Sequence, residues 1–243
     1  MKKMWMQWKR KWLPYVIAYS AKYAIRFLLR TCRIRIHGID KFVKTAQESP
    51  CILMLWHDQL VLVPEIVTTF TSDFICTAFI SKSRDGDPLE LVTKSYSRGR
   101  VLRVPHNTRH QALSRVIDIL RGKSELDKAT DSRVVIITPD GPRGPRHVVK
   151  PGVIVAARES SAKIVPFSWK ASRFWQLNTW DRMQIPKPFT TLHITFGDPI
   201  VLSTMGKDSL DQDAEMLRDI LIHQRDDTVG DDHLNEENLR SKR

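Results

Sequence analysis

His57 closes the apolar run Cys51-Ile52-Leu53-Met54-Leu55-Trp56 and is followed by Asp58. With an ordinary pKa of about 6.5, an imidazole at the end of a buried strand can take the proton of a hydroxyl nucleophile near neutral pH, and it needs no metal to do so. A second constellation, Pro139-Asp140-Gly141-Pro142-Arg143-Gly144-Pro145, follows Arg133-Val134-Val135-Ile136-Ile137-Thr138. Its glycines and prolines stop the strand and force a sharp turn, so a carboxylate and a guanidinium are held on a stiff loop. A planar guanidinium grips phosphate through two parallel hydrogen bonds. A third constellation, Ser81-Lys82-Ser83-Arg84-Asp85-Gly86-Asp87, packs charges around a glycine after the run 74–80; Arg103 lies near the end of the run 100–104, and Arg146 follows the proline-rich turn. Taken singly, a strand-end histidine is more often a cap or a core residue, and a charged turn a solvated connector. Polar, mostly basic groups at the ends of three or four successive runs instead describe one rim, as an anionic lipid or phosphorylated substrate would require.

The elements that must carry this rim follow from the apolar pattern. Arg33-Ile34-Arg35-Ile36-His37 alternates like an edge strand, whereas 51–56, 74–80, 100–104, 134–138 and 164–167 read as interior strands. Helical stretches at 60–70, 88–96 and 108–121 separate the earlier runs, Pro151 opens a helix over 153–160, and the spacing of Leu210, Ala214, Leu217 and Leu221 predicts a closing helix over 208–223. Strands alternating with helices give an α/β fold with a mostly parallel central sheet flanked by helices. In such sheets ligands bind in the crevice beyond the strand ends. The segment 191–196 alternates more cleanly and predicts a late, partly exposed strand. Ahead of it, Ser172-Arg173-Phe174-Trp175 and Asn178-Thr179-Trp180-Asp181-Arg182 form an aromatic and basic loop that could cover the site, touch lipid or simply pack.

At 243 residues without a Ser/Gly-rich linker, the chain is expected to form one core. Its net charge of +12 calls for a polyanionic partner, either nucleic acid or an anionic membrane face. Cys32, Cys51 and Cys76 are odd in number and lack CxxC spacing, so they read as buried thiols of a reducing compartment. No Asp or Glu precedes Asp40, whereas ten lysines and arginines do, interleaved with Trp5, Trp8 and Trp12. On a helix, Lys22, Arg26 and Arg30 share one face, with Leu13, Val16, Ile17, Ala21, Ala24, Ile25, Leu28 and Leu29 largely opposite. That is the pattern of a helix lying in an anionic membrane interface, where each basic residue adds about 1 kcal/mol. Lys22 and Arg26 interrupt the apolar stretch well short of the roughly 20 residues a span needs. A secretory signal is disfavoured by the short apolar core and the want of an A-x-A site. The expected organisation is a membrane-interface segment at 1–32, an α/β domain at 33–224 and a polar tail at 225–243.

Other signals are weaker. His106 and His110 stand four apart, but no carboxylate or cysteine joins them at ligand spacing, so no metal site is expected. There is no Gly-x-Gly-x-x-Gly, Walker loop or Gly-x-Ser-x-Gly elbow in the chain.

In order, Trp56-His57, Ser81 to Asp87, Thr138 to Pro145, Val149-Lys150-Pro151-Gly152 and Trp180-Asp181-Arg182 with Ile185-Pro186-Lys187-Pro188-Phe189 resemble the lysophospholipid acyltransferase superfamily. They look most like its bacterial branch known as the domain of unknown function 374 family, over about residues 34–221. Pro139 to Arg143 is similar to the wider superfamily's Pro-Glu-Gly-Thr-Arg block, with Asp140 for the glutamate and Pro142 for the threonine. Arg103 is similar in context to the arginine of its second block, and Val165-Pro166 to its late proline block. One departure matters. The superfamily's histidine is usually followed five positions later by an orienting aspartate, but position 62 is Leu62. Asp58 is poorly placed, because neighbours on an extended chain point to opposite faces. Asp85 or Asp140 could reach the ring from neighbouring strand ends, and Asp85 is preferred.

The resemblance implies a glycerolipid acyltransferase-like fold and transfer of a fatty acyl chain from an acyl-carrier-protein or coenzyme A thioester to a hydroxyl of a lysophospholipid or lipid A precursor, with no bound cofactor. His57 and Asp85 would be catalytic; Arg84, Arg103, Asp140, Gly141, Arg143 and Arg146 would bind substrate. The expected location is the cytoplasmic face of the inner membrane, as a peripheral or monotopic protein. Two alternatives are a non-catalytic lipid-binding member of the fold, motivated by Leu62, and a nucleic-acid-binding protein. Against the latter, phosphate tracking needs charge without a continuous apolar face.

Overall fold

The computed structural model describes residues 2–70, 75–81, 86–96, 99–104, 109–123, 133–203 and 209–227. In chain order these form α1 (Lys2–Thr31), β1 (Arg33–His37), α2 (Ile39–Glu48), β2 (Cys51–Met54), a 3-10 turn (His57–Leu62), α3 (Val63–Phe70), β3 (Cys76–Ser81), α4 (Gly86–Lys94), β4 (Gly99–Val104) and α5 (Arg109–Leu120). There follow β5 (Val134–Ile137), α6 (Pro151–Ser160), β6 (Lys163–Ala171), the short strands β7 (Phe174–Gln176) and β8 (Gln184–Pro186), β9 (Thr191–Phe196) and α7 (Leu210–Asp227).

One seven-stranded sheet has the order β1-β9-β6-β2-β5-β3-β4, and β7 and β8 pair separately as an antiparallel hairpin. β2 is its middle strand. It runs parallel to β5 and to the first half of β6, and β3 and β4 continue the parallel set. β6 changes partner midway, since 163–166 pair with β2 while 167–171 pair antiparallel with β9. The sheet is thus mostly parallel and flanked by helices, as the alternation of apolar runs and helices predicts.

A strand buried on both faces must be apolar at every position, and every residue from Cys51 to Trp56 is fully buried. Leu53 and Leu55 enter one cluster with Phe42 of α2, Ile66 of α3, Phe167 and Phe196; Ile52, Met54 and Trp56 enter the other with Leu120 of α5, Ile154 of α6 and Leu217 of α7. This packing fixes the end of β2, and with it His57. Cys51 and Cys76 are buried thiols, and burial pushes Cys76 up to about 12.

Four expectations change. The segment 191–196 is an interior strand, parallel to β1 and antiparallel to β6, with Leu192, His193, Ile194 and Phe196 buried. Two elements stand where no expectation placed one: α2, whose Ile39, Phe42, Val43 and Ala46 follow the helical i, i+3, i+4, i+7 spacing, and the β7–β8 hairpin, whose three-residue strands are too short to show an alternation. The closing helix continues to Asp227, so the polar tail does not begin at 225, and Arg225 approaches the buried Asp58 at 3.7 Å. The orientation of α1 differs most. Lys22 and Arg26 face the domain: Lys22 Nζ donates to the Ser95 carbonyl at 2.9 Å and lies 4.1 Å from the centre of the Tyr96 ring. Arg26 Nε donates to Glu65 of α3 at 2.7 Å, and Tyr96 Oη donates to the same carboxylate at 2.6 Å. Burial and the nearby Arg26 charge push Lys22 below its ordinary value, against the pull of Glu65. Of the three basic residues only Arg30 stays exposed, whereas Leu13, Val16, Tyr23 and Phe27 point to solvent. No described helix is long and apolar enough to cross a membrane.

Candidate active site

The chain leaves β2 at Trp56 in an extended conformation and enters the 3-10 turn at His57. Two reciprocal bonds lock that turn to β6: Gln59 Nε2 donates to the Trp169 carbonyl and Trp169 Nε1 to the Gln59 carbonyl, both at 2.8 Å. Leu62, five positions after His57, is fully buried in the hydrophobic cluster behind the turn. Here the fold directs that side chain into the core.

The ring is held instead from the β7–β8 hairpin. Asp181 Oδ2 lies 2.7 Å from His57 Nδ1, and the carboxylate is almost wholly buried, with 3% of its side chain exposed against 20% for the histidine. The hairpin tip is built to present it. Leu177 N donates to the Met183 carbonyl, Arg182 N to the Thr179 carbonyl, and Arg182 takes a left-handed backbone conformation (φ 55°) to close the turn. Thr179 Oγ1 donates to Asp181 Oδ1, which also accepts Met183 N at 3.3 Å. Burial alone would raise the Asp181 carboxyl, but the Thr179 hydroxyl, His57 and the Met183 N–H outweigh it and hold the group below its ordinary value. A carboxylate kept ionised on Nδ1 makes that nitrogen the donor, so Nε2 carries the lone pair.

Asp140 reaches the same histidine from the other side. Its Oδ1 accepts the backbone N–H of His57 at 3.2 Å, and the residue is fully buried. Burial pushes its carboxyl above the ordinary value, opposed by the His57 charge and by backbone N–H groups of His57 and His147. Asp140 therefore braces the turn and is not exposed for substrate, contrary to the role expected of it. Asp58 does point away from the ring. It too is fully buried, against Arg146 Nη2 at 2.7 Å and His147 Nε2 at 3.1 Å. Arg146 is thereby committed to a cross-link between the two loops, a correction to its expected part in phosphate binding.

Gly141 and Gly144 both take positive φ, 67° and 65°, which lets the 139–147 turn fold back on itself. A side chain at Gly144 would meet the Trp180 ring at 2.7 Å, so the glycine is what allows that indole to lie on the turn. Trp180 also covers the His57 ring, with centroids 5.1 Å apart. Arg143 is exposed on this turn, while Arg103 on β4 lies 3.5 Å from Glu90 of α4. Arg84, Asp85, His106 and the side chain of His110 lie outside the described residues.

The structure thus brings together His57, Asp140 and the 139–147 turn, as the motifs indicate, and adds Asp181, to which no motif assigns a catalytic part. The orienting position on the ring, expected for Asp85, is taken by Asp181. One signal could have found it: Asp181 is the only carboxylate between Glu159 and Asp198, in a stretch otherwise aromatic and basic.

The fold has solved counterparts. The crystal structure of the 1-acyl-sn-glycerophosphate (LPA) acyltransferase PlsC from Thermotoga maritima superposes with a TM-score of 0.53, covering 91% of this chain and 82% of that one at 15% identity. At that identity the likeness is one of fold, and it agrees with the expected glycerolipid acyltransferase-like architecture. In sequence, the chain is 28% identical over 194 residues to the uncharacterized protein RP090 of Rickettsia prowazekii (strain Madrid E), covering 79% of this chain and 84% of that protein. No protein-family model matches.

Proposed function

We propose that this protein is a lipid O-acyltransferase that moves a fatty acyl group from a thioester to a hydroxyl of a membrane lipid, as in the branch its motifs resemble. The observation that carries the reading is the His57–Asp181 pair at the C-terminal end of the central strand. His57 Nε2 takes the acceptor's hydroxyl proton as its oxygen attacks the thioester carbonyl, and Asp181 stabilises the imidazolium that forms. The tetrahedral intermediate collapses, the carbon–sulfur bond breaks, and the proton passes from His57 to the departing thiolate. Backbone N–H groups or a basic side chain at the rim would stabilise the oxyanion, each good donor being worth roughly 3 kcal/mol. Arg143 is the leading candidate for the acceptor's phosphate. The donor would be an acyl-carrier-protein or coenzyme A thioester, the acceptor a lysophospholipid or lipid A precursor, and the place of work the cytoplasmic face of a membrane. With Asp181 on the ring, Leu62 no longer argues for a non-catalytic lipid-binding protein. The turning inward of Lys22 and Arg26 also weakens the nucleic-acid alternative.

The test is an assay with purified protein, acyl thioesters of both kinds and lysophospholipid acceptors, reading free thiol and acylated lipid by mass spectrometry. Wild type should form acylated lipid in step with thiol, and His57→Ala should not. Thiol release without acylated lipid, or equal turnover by His57→Ala, would remove the mechanism.

A further inference from the structure

Outside α1, the exposed aromatic side chains among the described residues lie on and beside the hairpin that delivers Asp181. Trp175 and Trp180 are 47% and 41% exposed, and Phe189, just beyond β8, is 79% exposed. Isolated exposed apolar residues need no explanation, but several exposed rings along one short segment mark an interaction surface. Its charge is one-sided. Arg173 and Arg182 are exposed on the same segment, Lys187 Nζ lies 5.9 Å from the centre of the Trp175 ring, and the only carboxylate from 160 to 197 is the buried Asp181. Indole and phenyl rings among cations, without exposed acid, complement an anionic lipid surface, where rings sit at headgroup depth and cations meet phosphate.

This surface is continuous with α1. Phe189 N donates to Thr31 Oγ1 at 3.4 Å, and the Cys32 thiol lies 3.7 Å from the Lys187 carbonyl, so the chain after β8 rides on the C-terminal end of that helix. From there the exposed face of α1 carries Phe27, Tyr23 and Val16, with Arg30 beside them. The Lys22 and Arg26 contacts with Ser95 and Glu65 fix which way that face points.

We propose that the β7–β8 hairpin is a second lipid contact beside the outer face of α1, and that its seating on an anionic bilayer steadies the loop that holds Asp181 on His57. The coupling is covalent and short: Trp180, itself one of the exposed rings, packs on both His57 and the Gly144 turn and precedes Asp181 directly. A hairpin of two three-residue strands has little stability of its own. Lipid contact would therefore raise the fraction of molecules with the pair aligned. This inference rests on the lipid acyltransferase reading above.

The test uses the full chain with vesicles of phosphatidylcholine containing 30 mol% phosphatidylglycerol, and with pure phosphatidylcholine vesicles. Hydrogen–deuterium exchange should show protection of both α1 and 173–189 with the anionic vesicles. Trp175→Asp should lose the protection at 173–189 while keeping it in α1. Thioester turnover with a water-soluble acceptor should rise several-fold with the anionic vesicles in wild type, and rise less in Trp175→Asp. Protection confined to α1, or equal stimulation of both proteins, overturns the hairpin proposal and leaves the acyltransferase reading standing. Protection at both places in a protein that never turns over would remove the acyltransferase reading while the hairpin contact survives.

Discussion

The turn at 139–147 and the hairpin tip at 177–183 each carry one carboxylate to His57, the first to its backbone and the second to its ring. Asp140 sits on a stiff segment that follows a buried strand, and burial pushes its carboxyl up. Asp181 sits on a short exposed hairpin, where a threonine hydroxyl, the imidazole and a backbone N–H keep it ionised despite burial. Position and orientation of the histidine are thereby separate tasks. A brace can be fully buried and rigid, whereas the group that sets the tautomer must stay charged, and here it comes from a hairpin whose first strand is exposed at every position.

Removing the group both loops serve should have the largest effect. His57→Ala is expected to lower acyl transfer by roughly 10³- to 10⁴-fold, with thermal unfolding little changed because the side chain is partly exposed. The contrast itself is tested by a pair of asparagines. Asp181→Asn should lower kcat by roughly 100-fold with little change in KM for the acceptor, since the ring loses its charged partner. Asp140→Asn keeps an oxygen for the His57 N–H and should cost far less. Equal losses in the two variants would mean that bracing and orienting are one task.

A smaller effect is expected on the outer side of the turn. Arg143→Lys keeps the charge but loses the two-pronged geometry, and should weaken acceptor binding by about 1–2 kcal/mol, read as a rise in KM near tenfold. A wild-type KM would make Arg143 a point charge or a structural residue.

The smallest effects should appear in stability against pH, with opposite signs for the two carboxylates. Above the ordinary value of 3.8 and up to its raised folded value, native Asp140 retains a proton that the unfolded chain has released, so stability falls as pH rises through that window. Asp181 is shifted down, so its contribution is complete above 3.8 and is lost as pH falls through its lower folded value. In urea unfolding curves, Asp140→Asn should flatten the loss above pH 3.8 and Asp181→Asn the loss below it. The same profile in both variants would contradict the opposed shifts.

Much of the scaffold was legible from residue order. The run 51–56 had to be a strand buried on both faces, and Pro139, Gly141 and Gly144 had to break the chain after 134–138. The hairpin was not legible in this way, because strands of three residues are too short to leave an apolar alternation to read. The interior burial of 191–196 was hidden too, since its threonines and histidine mimic an exposed face while neighbouring strands and the end of α7 cover it.

What the sequence by itself determined is therefore the α/β layering, the histidine at the end of a buried strand and the basic turn after 134–138, because burial on two faces and the backbone limits of glycine and proline are local constraints. Only the tertiary structure decided which carboxylate meets the imidazole and which way α1 faces. Asp181 is separated from His57 by 124 positions, and no spacing rule spans such a gap. The i, i+4, i+8 rule likewise says that Lys22, Arg26 and Arg30 share a face, but what that face meets depends on the Glu65 and Ser95 acceptors that α3 and the end of α4 bring to it.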